Sequence, residues 1–239
     1  MILDEIHLRA STLHKRILLP DTTDPRTLHA AVRMSHSGVC IPILVGSRDQ
    51  IHELGRIEQI VGLDGVDIID PLDALDETST FIHDRRRDKG LTSTEAQSLA
   101  ANSLYCAGAM VALARADGAV AGSHSTTADV LRAAIITIGT AQGNKTVSSY
   151  FLMAWPDRTL VFADCGVLPD PTDEQLADIA SAAATNFRTV VGKEPRVAFL
   201  SFSTKGSAEH ARVDKVRSAQ KIFAQLRPDV VSDGELQAD

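Results

Sequence analysis

Apolar residues in this chain come in short runs separated by polar, capped stretches. The first, Lys15-Arg16-Ile17-Leu18-Leu19-Pro20, reads as a buried strand stopped by a proline that cannot donate to a ladder. Asp24-Pro25 is an N-cap with proline at the first helical position, predicting a helix to about Met34 that Gly38 closes. Ile41-Pro42-Ile43-Leu44-Val45-Gly46 is the next strand, and residues 66–69 a third. Before them, residues 1–14 carry Ile2, Leu3, Ile6 and Leu13 among charges, the pattern of a short amphipathic helix.

Further along, Phe81-Ile-His-Asp-Arg-Arg-Arg-Asp-Lys-Gly90 reads as a solvated charged segment. Thr92-x-x-Glu95 is a capping box that opens a long, Ala-rich helix to about Arg115. Residues 119–121 form a short strand and residues 128–138 a helix. Residues 147–154 and 160–163 flank the turn Pro156-Asp157-Arg158 as a hairpin. Thr172-x-x-Gln175 caps a helix to about Phe187. A strand at 197–202, a helix at 208–226 and a strand at 230–232 complete the chain. Strands spaced by helices predict an α/β fold, a parallel sheet with helices on both faces. The glycine-rich, polar stretch Gly139-Thr-Ala-Gln-Gly-Asn144 is the expected boundary between domains at 1–143 and 144–239.

The stretch 116–132 passes from a strand through the hydroxyl-rich turn Gly122-Ser-His-Ser-Thr-Thr127 into a helix. Two readings fit it. Thr126-x-x-Asp129 is a capping box, and Asp129 with Arg132 an i, i+3 ion pair. The same turn, with free N–H groups and the positive end of the helix dipole, is an anion cradle, and Arg132 lies two turns beyond Ser125 on the same face. Ser203-Thr204-Lys205-Gly206-Ser207 repeats the design, and ligands of open parallel sheets bind where such turns converge. Lys205 at a helix start opposes the dipole, which favours an anion beside it. The glycine spacings match neither a Walker loop nor a dinucleotide fingerprint.

Composition narrows the choices. Aromatic residues are only 4% against 44% hydrophobic, so Ala, Val, Ile and Leu fill the interior, which favours α/β over an aromatic-rich sandwich. A net charge of −7 argues against a general nucleic-acid binder, though not against a phosphorylated small molecule. Cys40, Cys106 and Cys165 have no metal-type spacing and read as reduced, packed thiols, and no metal site is expected. His124 is as well placed for a structural hydrogen bond as for base chemistry. Neither a bilayer-length apolar run nor a signal peptide is present, so a cytoplasmic protein without membrane or nucleic-acid partners is expected.

The strings Ala163-Asp-Cys-Gly166, Asp170-Pro-Thr172, Leu200-Ser-Phe-Ser-Thr-Lys-Gly-Ser-Ala208 and Asp233-Gly-Glu-Leu-Gln-Ala-Asp239 resemble the phosphate acetyltransferase family. So do residues 121–132, 15–20 and 42–46, along nearly the whole chain in order. The resemblance implies two three-layer α/β/α domains with a cleft, of the isocitrate/isopropylmalate dehydrogenase type, usually in a homodimer. It implies reversible acetyl transfer between acetyl phosphate and coenzyme A, with phosphate as the other partner, coenzyme A as a substrate and no tightly bound cofactor. Arg86 and Arg132 fall at the family's two functional arginines, and Ser125, Thr126, Thr127, Ser203, Thr204 and Lys205 are the further donors expected at the substrate. Similar proteins continue with a Ser-Arg-Gly-Cys-Ser string and an Asp held to deprotonate coenzyme A; the sequence ends before it, and no residue here takes over that base role. A non-catalytic acetyl-coenzyme A-sensing module and a butyryltransferase are the alternatives within the same resemblance.

Overall fold

Pairing of Arg16–Leu19 with its neighbours starts a sheet whose strands are apolar on both faces. The computed structural model describes residues 1–238. These form two compact units, His7–Gly139 and a second running from Thr140 onward together with Met1–Ile6. Helix α1 (Ile2–Leu13) buries none of its residues. In the His7–Gly139 unit the order is β1 (Arg16–Leu19), α2 (Pro25–Ser37), β2 (Ile41–Val45), α3 (Arg48–Ile57), β3 (Asp67–Ile69), α4 (Leu75–Arg86), α5 (Ser93–Ala100), α6 (Ser103–Ala112), β4 (Gly118–Ala119) and α7 (Thr127–Thr137).

The strands make one parallel sheet in the order β3-β2-β1-β4. Alternation along each strand decides which layer its side chains meet. Leu19 and Leu44 pack with Leu28, Ala31 and Val32 of α2 and Ile51 of α3. Leu18, Ile43 and Val45 point the other way, onto Cys106 and Ala107 of α6. A parallel sheet covered on both faces needs this doubly apolar strand, which is why β1 and β2 read as continuous runs. Beyond α6, helices α4 to α7 share a helical layer around Ile82, Ala96, Ala100 and Ala109.

The N-cap of α2 is Asp24, whose side chain accepts from the Arg26 N–H, and Gly38 ends the helix with a left-handed φ of 65°. Two expectations are corrected. The Ala-rich helix is broken into α5 and α6, because Asn102 caps a new helix by accepting from the Leu104 N–H at 2.9 Å. The charged run at 81–90 is the end of α4 followed by a 3₁₀ turn, with Ile82 fully buried. On α7 the packed residues are Ala133 and Thr137, whereas Ile135 is exposed. Thr137 sits against Gly108 of α6, where an added Cβ would collide with its Oγ1 and lie 3.1 Å from its Cβ. Glycine permits that close approach.

In the second unit, β5 (Tyr150–Ala154) and β6 (Thr159–Ala163) form the expected antiparallel hairpin, Tyr150 opposite Ala163. The unit continues with α8 (Asp173–Val191), β7 (Arg196–Leu200), α9 (Ala211–Leu226) and β8 (Val231–Leu236), with β7 and β8 parallel. Thr172 and Gln175 complete a reciprocal capping box at the start of α8. Ala177, Ala180 and Ala184 of α8 pack with Phe199, Val216 and Phe223. The Phe199 and Phe223 rings meet at 5.5 Å and 59°. A groove of about 940 Å³ runs between β6 and β7 over α8, bordered by Phe162, Ile179, Phe187 and Leu200. Among the described residues, β6 pairs only with β5 and β7 only with β8.

Candidate functional site

Chain order and spatial order diverge at β1. From β1 the chain moves through α2 to β2 and β3 on one side, then returns through α4–α6 to β4 on the other. The boundary between β1 and β4 is therefore the topological switch point of the sheet, the place where open α/β sheets hold ligands. The two loops that leave the carboxyl ends of these strands carry Asp21–Asp24 and Gly122–Thr126.

The loops are locked together by one carboxylate that the sequence did not single out. Asp21 is 5% exposed, and its Oδ2 accepts the N–H groups of Gly122 at 2.6 Å, Ser123 at 2.9 Å and His124 at 3.4 Å. The Ser123 hydroxyl reaches the same oxygen at 3.4 Å, and the Ser125 hydroxyl donates to Oδ1. Gly122 takes a left-handed φ of 107°, which lets successive N–H groups turn inward; glycine enters that region without a Cβ penalty. Burial pushes the Asp21 carboxyl up, but the hydrogen bonds from Ser125, Gly122, His124 and Ser123 outweigh it and hold it below its ordinary value. The inner side of the turn read from the sequence as a capped helix start or an anion cradle holds a carboxylate of the protein.

A second layer supports the first. Thr27 Oγ1 and Ser123 Oγ lie 2.9 Å apart, and Arg26 donates from Nη2 to the Ser123 carbonyl at 2.7 Å while clasping Asp24. The Arg26 guanidinium beside Asp24 holds that carboxyl down at about 2.

The outer side of the turn opens α7. Thr126 is its N-cap: its Oγ1 accepts from the Asp129 N–H at 3.2 Å and donates to Asp129 Oδ2 at 2.7 Å. The cap satisfies the N–H of the third helical residue and leaves those of Thr127 and Ala128 without an acceptor inside the helix. Thr127 is exposed at the first helical position. Arg132, two turns from Ser125, is 65% exposed, and its ion pair with Asp129 is loose at 3.8 Å.

Arg86 stands elsewhere. Its Nε donates to the Ile136 carbonyl at 3.0 Å and its Nη2 to the Ile135 carbonyl, while Arg85 donates to the Ile138 carbonyl at 2.6 Å. Both arginines cap the carboxyl end of α7, the favourable end of the dipole for a cation. That end lies about 16 Å from the Ser125–Thr127 end, at ~1.5 Å per residue over the length of α7.

The Ser203–Ser207 turn belongs to the second unit. A bulge in the β7–β8 register, Phe199 opposite Gly234 and Leu200 opposite Leu236, leaves Glu235 as the extra residue and turns its side chain inward. Glu235, 2% exposed, accepts from the Gly206 N–H at 2.7 Å and from Arg217 Nε at 2.8 Å and Nη2 at 3.0 Å. Arg217 first, then Gly206, hold its carboxyl down at about 2 against burial. Ser203 is fully buried, its hydroxyl accepting from the Ala208 N–H at 3.1 Å. The Thr204 hydroxyl accepts from the Gln237 N–H at 2.8 Å, and Lys205 pairs with Asp233. The turn does not open the helix directly: α9 begins at Ala211, capped by His210.

Among the cysteines, Cys106 is fully buried, and burial pushes its thiol up to about 11, which removes it as a nucleophile. Cys165 donates to the Phe162 carbonyl at 3.2 Å. Among the described residues no helix is long and apolar enough to cross a membrane.

The family model described as phosphate acetyl/butaryl transferase matches residues 1–239. The chain belongs to the phosphate acetyl/butaryl transferase family. It is 42% identical over 248 residues to the phosphate acetyltransferase of Thermoanaerobacterium thermosaccharolyticum, covering 100% of this chain and 74% of that one. The phosphate acetyltransferase of Paracoccus denitrificans is 39% identical over 243 residues, covering 99% and 73%. Among solved structures, the EutD phosphotransacetylase from Staphylococcus aureus superposes with a TM-score of 0.89 at 31% identity, covering 99% of this chain and 72% of that one. The chain therefore spans about three quarters of the length of the family members it matches here. The α/β fold with its parallel sheet is the one this family's solved member displays.

Proposed function

We propose that this chain is a phosphate acetyltransferase that holds the phosphoryl group of acetyl phosphate at the outer side of the Gly122–Thr126 turn. The observation that carries this reading is the switch-point turn itself: a preset loop leading into a capped helix, with exposed donors and a nearly free arginine. The relatives named phosphate acetyltransferase supply the reaction.

In that reaction the coenzyme A thiol sulfur attacks the acetyl carbonyl of acetyl phosphate. The C–S bond forms, the C–O bond to phosphorus breaks, and the thiol proton ends on the departing phosphate. Negative charge grows on the carbonyl oxygen and then on the leaving phosphate. Arg132 meets the phosphoryl oxygens with a planar, always charged fork, and the Thr127 hydroxyl with the first N–H groups of α7 adds donors. The Ser125 and Thr126 hydroxyls, spent on Asp21 and Asp129, serve by shaping the turn. Arg86 acts by holding the far end of the helix that carries Arg132. In the second unit, Thr204 and Lys205, held by Gln237 and Asp233, act with Ser203 through the shape of the turn that serves coenzyme A. A cytoplasmic homodimer, with no metal or resident cofactor, belongs to the same proposal; light scattering tests the dimer.

Incubation with acetyl phosphate and coenzyme A, followed by thioester absorbance and by phosphate release, tests the activity. Equal production of thioester and phosphate is expected. Coenzyme A left as free thiol, under conditions where a full-length family member turns over, would overturn the assignment.

A further inference from the structure

The carboxylate of Asp21 has a place in the fold but none in the reaction as described. It sits against the backbone of Gly122–His124 in the position a bound anion would take in a nest. Among the described residues no cation pairs with it there: its partners are backbone N–H groups and the Ser123 and Ser125 hydroxyls. Every one of these donors is drawn inward, from a residue about one hundred positions earlier in the chain. What remains pointing outward is the amino end of α7, with Thr127 and Arg132.

Resting on the phosphate-site reading above, we propose that Asp21 is a positioning residue for acetyl phosphate. Its carboxylate presets the Gly122–Ser125 turn by satisfying the inner donors, and so fixes the amino end of α7 against the phosphoryl group. The turn otherwise has a mobile composition, one glycine and two serines in four residues, with Gly122, Ser123 and His124 exposed. Fastening it before substrate arrives removes the ordering that binding would otherwise have to provide. A full negative charge is suited to the task because charge-assisted hydrogen bonds from N–H to carboxylate are about twice as strong as neutral ones. An asparagine of the same shape accepts through one oxygen only and would leave the Ser125 hydroxyl without its acceptor.

The opposite role predicts opposite kinetics. Were Asp21 a plug competing with phosphate for the same N–H groups, its removal would tighten phosphate binding.

The test compares wild type, Asp21→Ala and Asp21→Asn with acetyl phosphate and coenzyme A each varied in turn, alongside inhibition by inorganic phosphate. Misplacing a reacting group by about 1 Å costs up to ~10²-fold. On that scale Asp21→Ala should lower kcat/KM for acetyl phosphate by about 10²-fold and raise its KM, while KM for coenzyme A shifts by less than about threefold. Hydrogen exchange of the Gly122–Ser125 amides should quicken, with the β1 and β2 amides unchanged. The split between the two substrates is the readout that a general loss of stability would not produce. Should Asp21→Ala fail to fold, Asp21→Asn decides, with an expected loss near tenfold in the same direction. Wild-type constants retained by the folded variants, equal effects on both substrates, or tighter inhibition by phosphate would each overturn the proposal. An inactive wild type would overturn the functional assignment instead.

Discussion

Two turns in this molecule follow the same plan, a strand leading through small hydroxylic residues and glycine toward a helix, with a buried carboxylate beneath. At Gly122–Thr126 the carboxylate is Asp21, met only by N–H and O–H donors. At Ser203–Ser207 it is Glu235, met by the Arg217 fork as well as by Gly206. The difference lies in where the positive charge goes. In the second turn Arg217 faces inward and Lys205 is tied to Asp233, so the charges are paired among themselves. In the first, the cation stays outside, since Arg132 is 65% exposed with its acidic neighbour 3.8 Å away. A similar string of residues thus yields a closed structural knot in one unit and an open helix start with an outward arginine in the other.

The largest effect should separate the two cations. Arg132→Ala removes a preorganised charge from the phosphoryl site and should lower kcat/KM for acetyl phosphate by about 10²–10³-fold, the usual cost of one such donor. Lys205→Ala should change it by only a few fold, since that ammonium is already paired. A near-normal Arg132→Ala enzyme would erase the distinction between the turns. Melting temperatures should stay put for both, because each side chain is more than half exposed and surface pairs contribute little.

A smaller effect concerns the seat of α7. Gly108→Ala forces a methyl into Thr137 across the α6–α7 contact. Overpacking of this kind costs about 1–3 kcal/mol, measurable as a lower urea midpoint. Because α7 carries Arg132, KM for acetyl phosphate should rise in the folded variant. The Ser203–Ser207 turn, in the other unit, should show unchanged amide exchange.

The gentlest probe is pH. Glu235 is held at about 2 in the folded protein against an ordinary value of 4.5. A lowered carboxyl stabilises the fold above the unfolded value and loses that contribution as pH falls through the folded one. Stability should therefore fall between about pH 4.5 and pH 2. In Glu235→Gln that component is absent, so wild type should be the more stable protein at pH 7 and the gap should close toward pH 2. Thermal melts at several pH values read this directly; a gap independent of pH would mean that Glu235 acts by shape alone.

Local chemistry made much of this fold readable. Asp24-Pro25 with Gly38, and the Thr92 and Thr172 capping boxes, mark helix ends through contacts within four residues, and the structure keeps all of them. The doubly apolar β1 and β2 announced a covered parallel sheet. Errors arose where one signal masked another. Continuous alanine hid the Asn102 cap that separates α5 from α6, and the Arg-rich run at 85–87 hid a helix anchored by Ile82. The polar turn at 203–207 looked like a helix start, though Ala208 and Glu209 intervene before His210 caps α9. Asp21 and Glu235 were invisible for a different reason. Each finds its meaning in partners distant along the chain, and an isolated acid next to a strand has no pattern that says which way it will face.

The unpaired margins of β6 and β7 have a practical consequence. Among the described residues each margin has no strand partner beside the groove, and Phe162, Leu200 and Phe202 stand 49–56% exposed on its lining. Open strand margins beside apolar surface are where chains add to one another. A lysine at Leu160 on the β6 margin should therefore raise the concentration at which this polypeptide stays free of aggregates in light scattering.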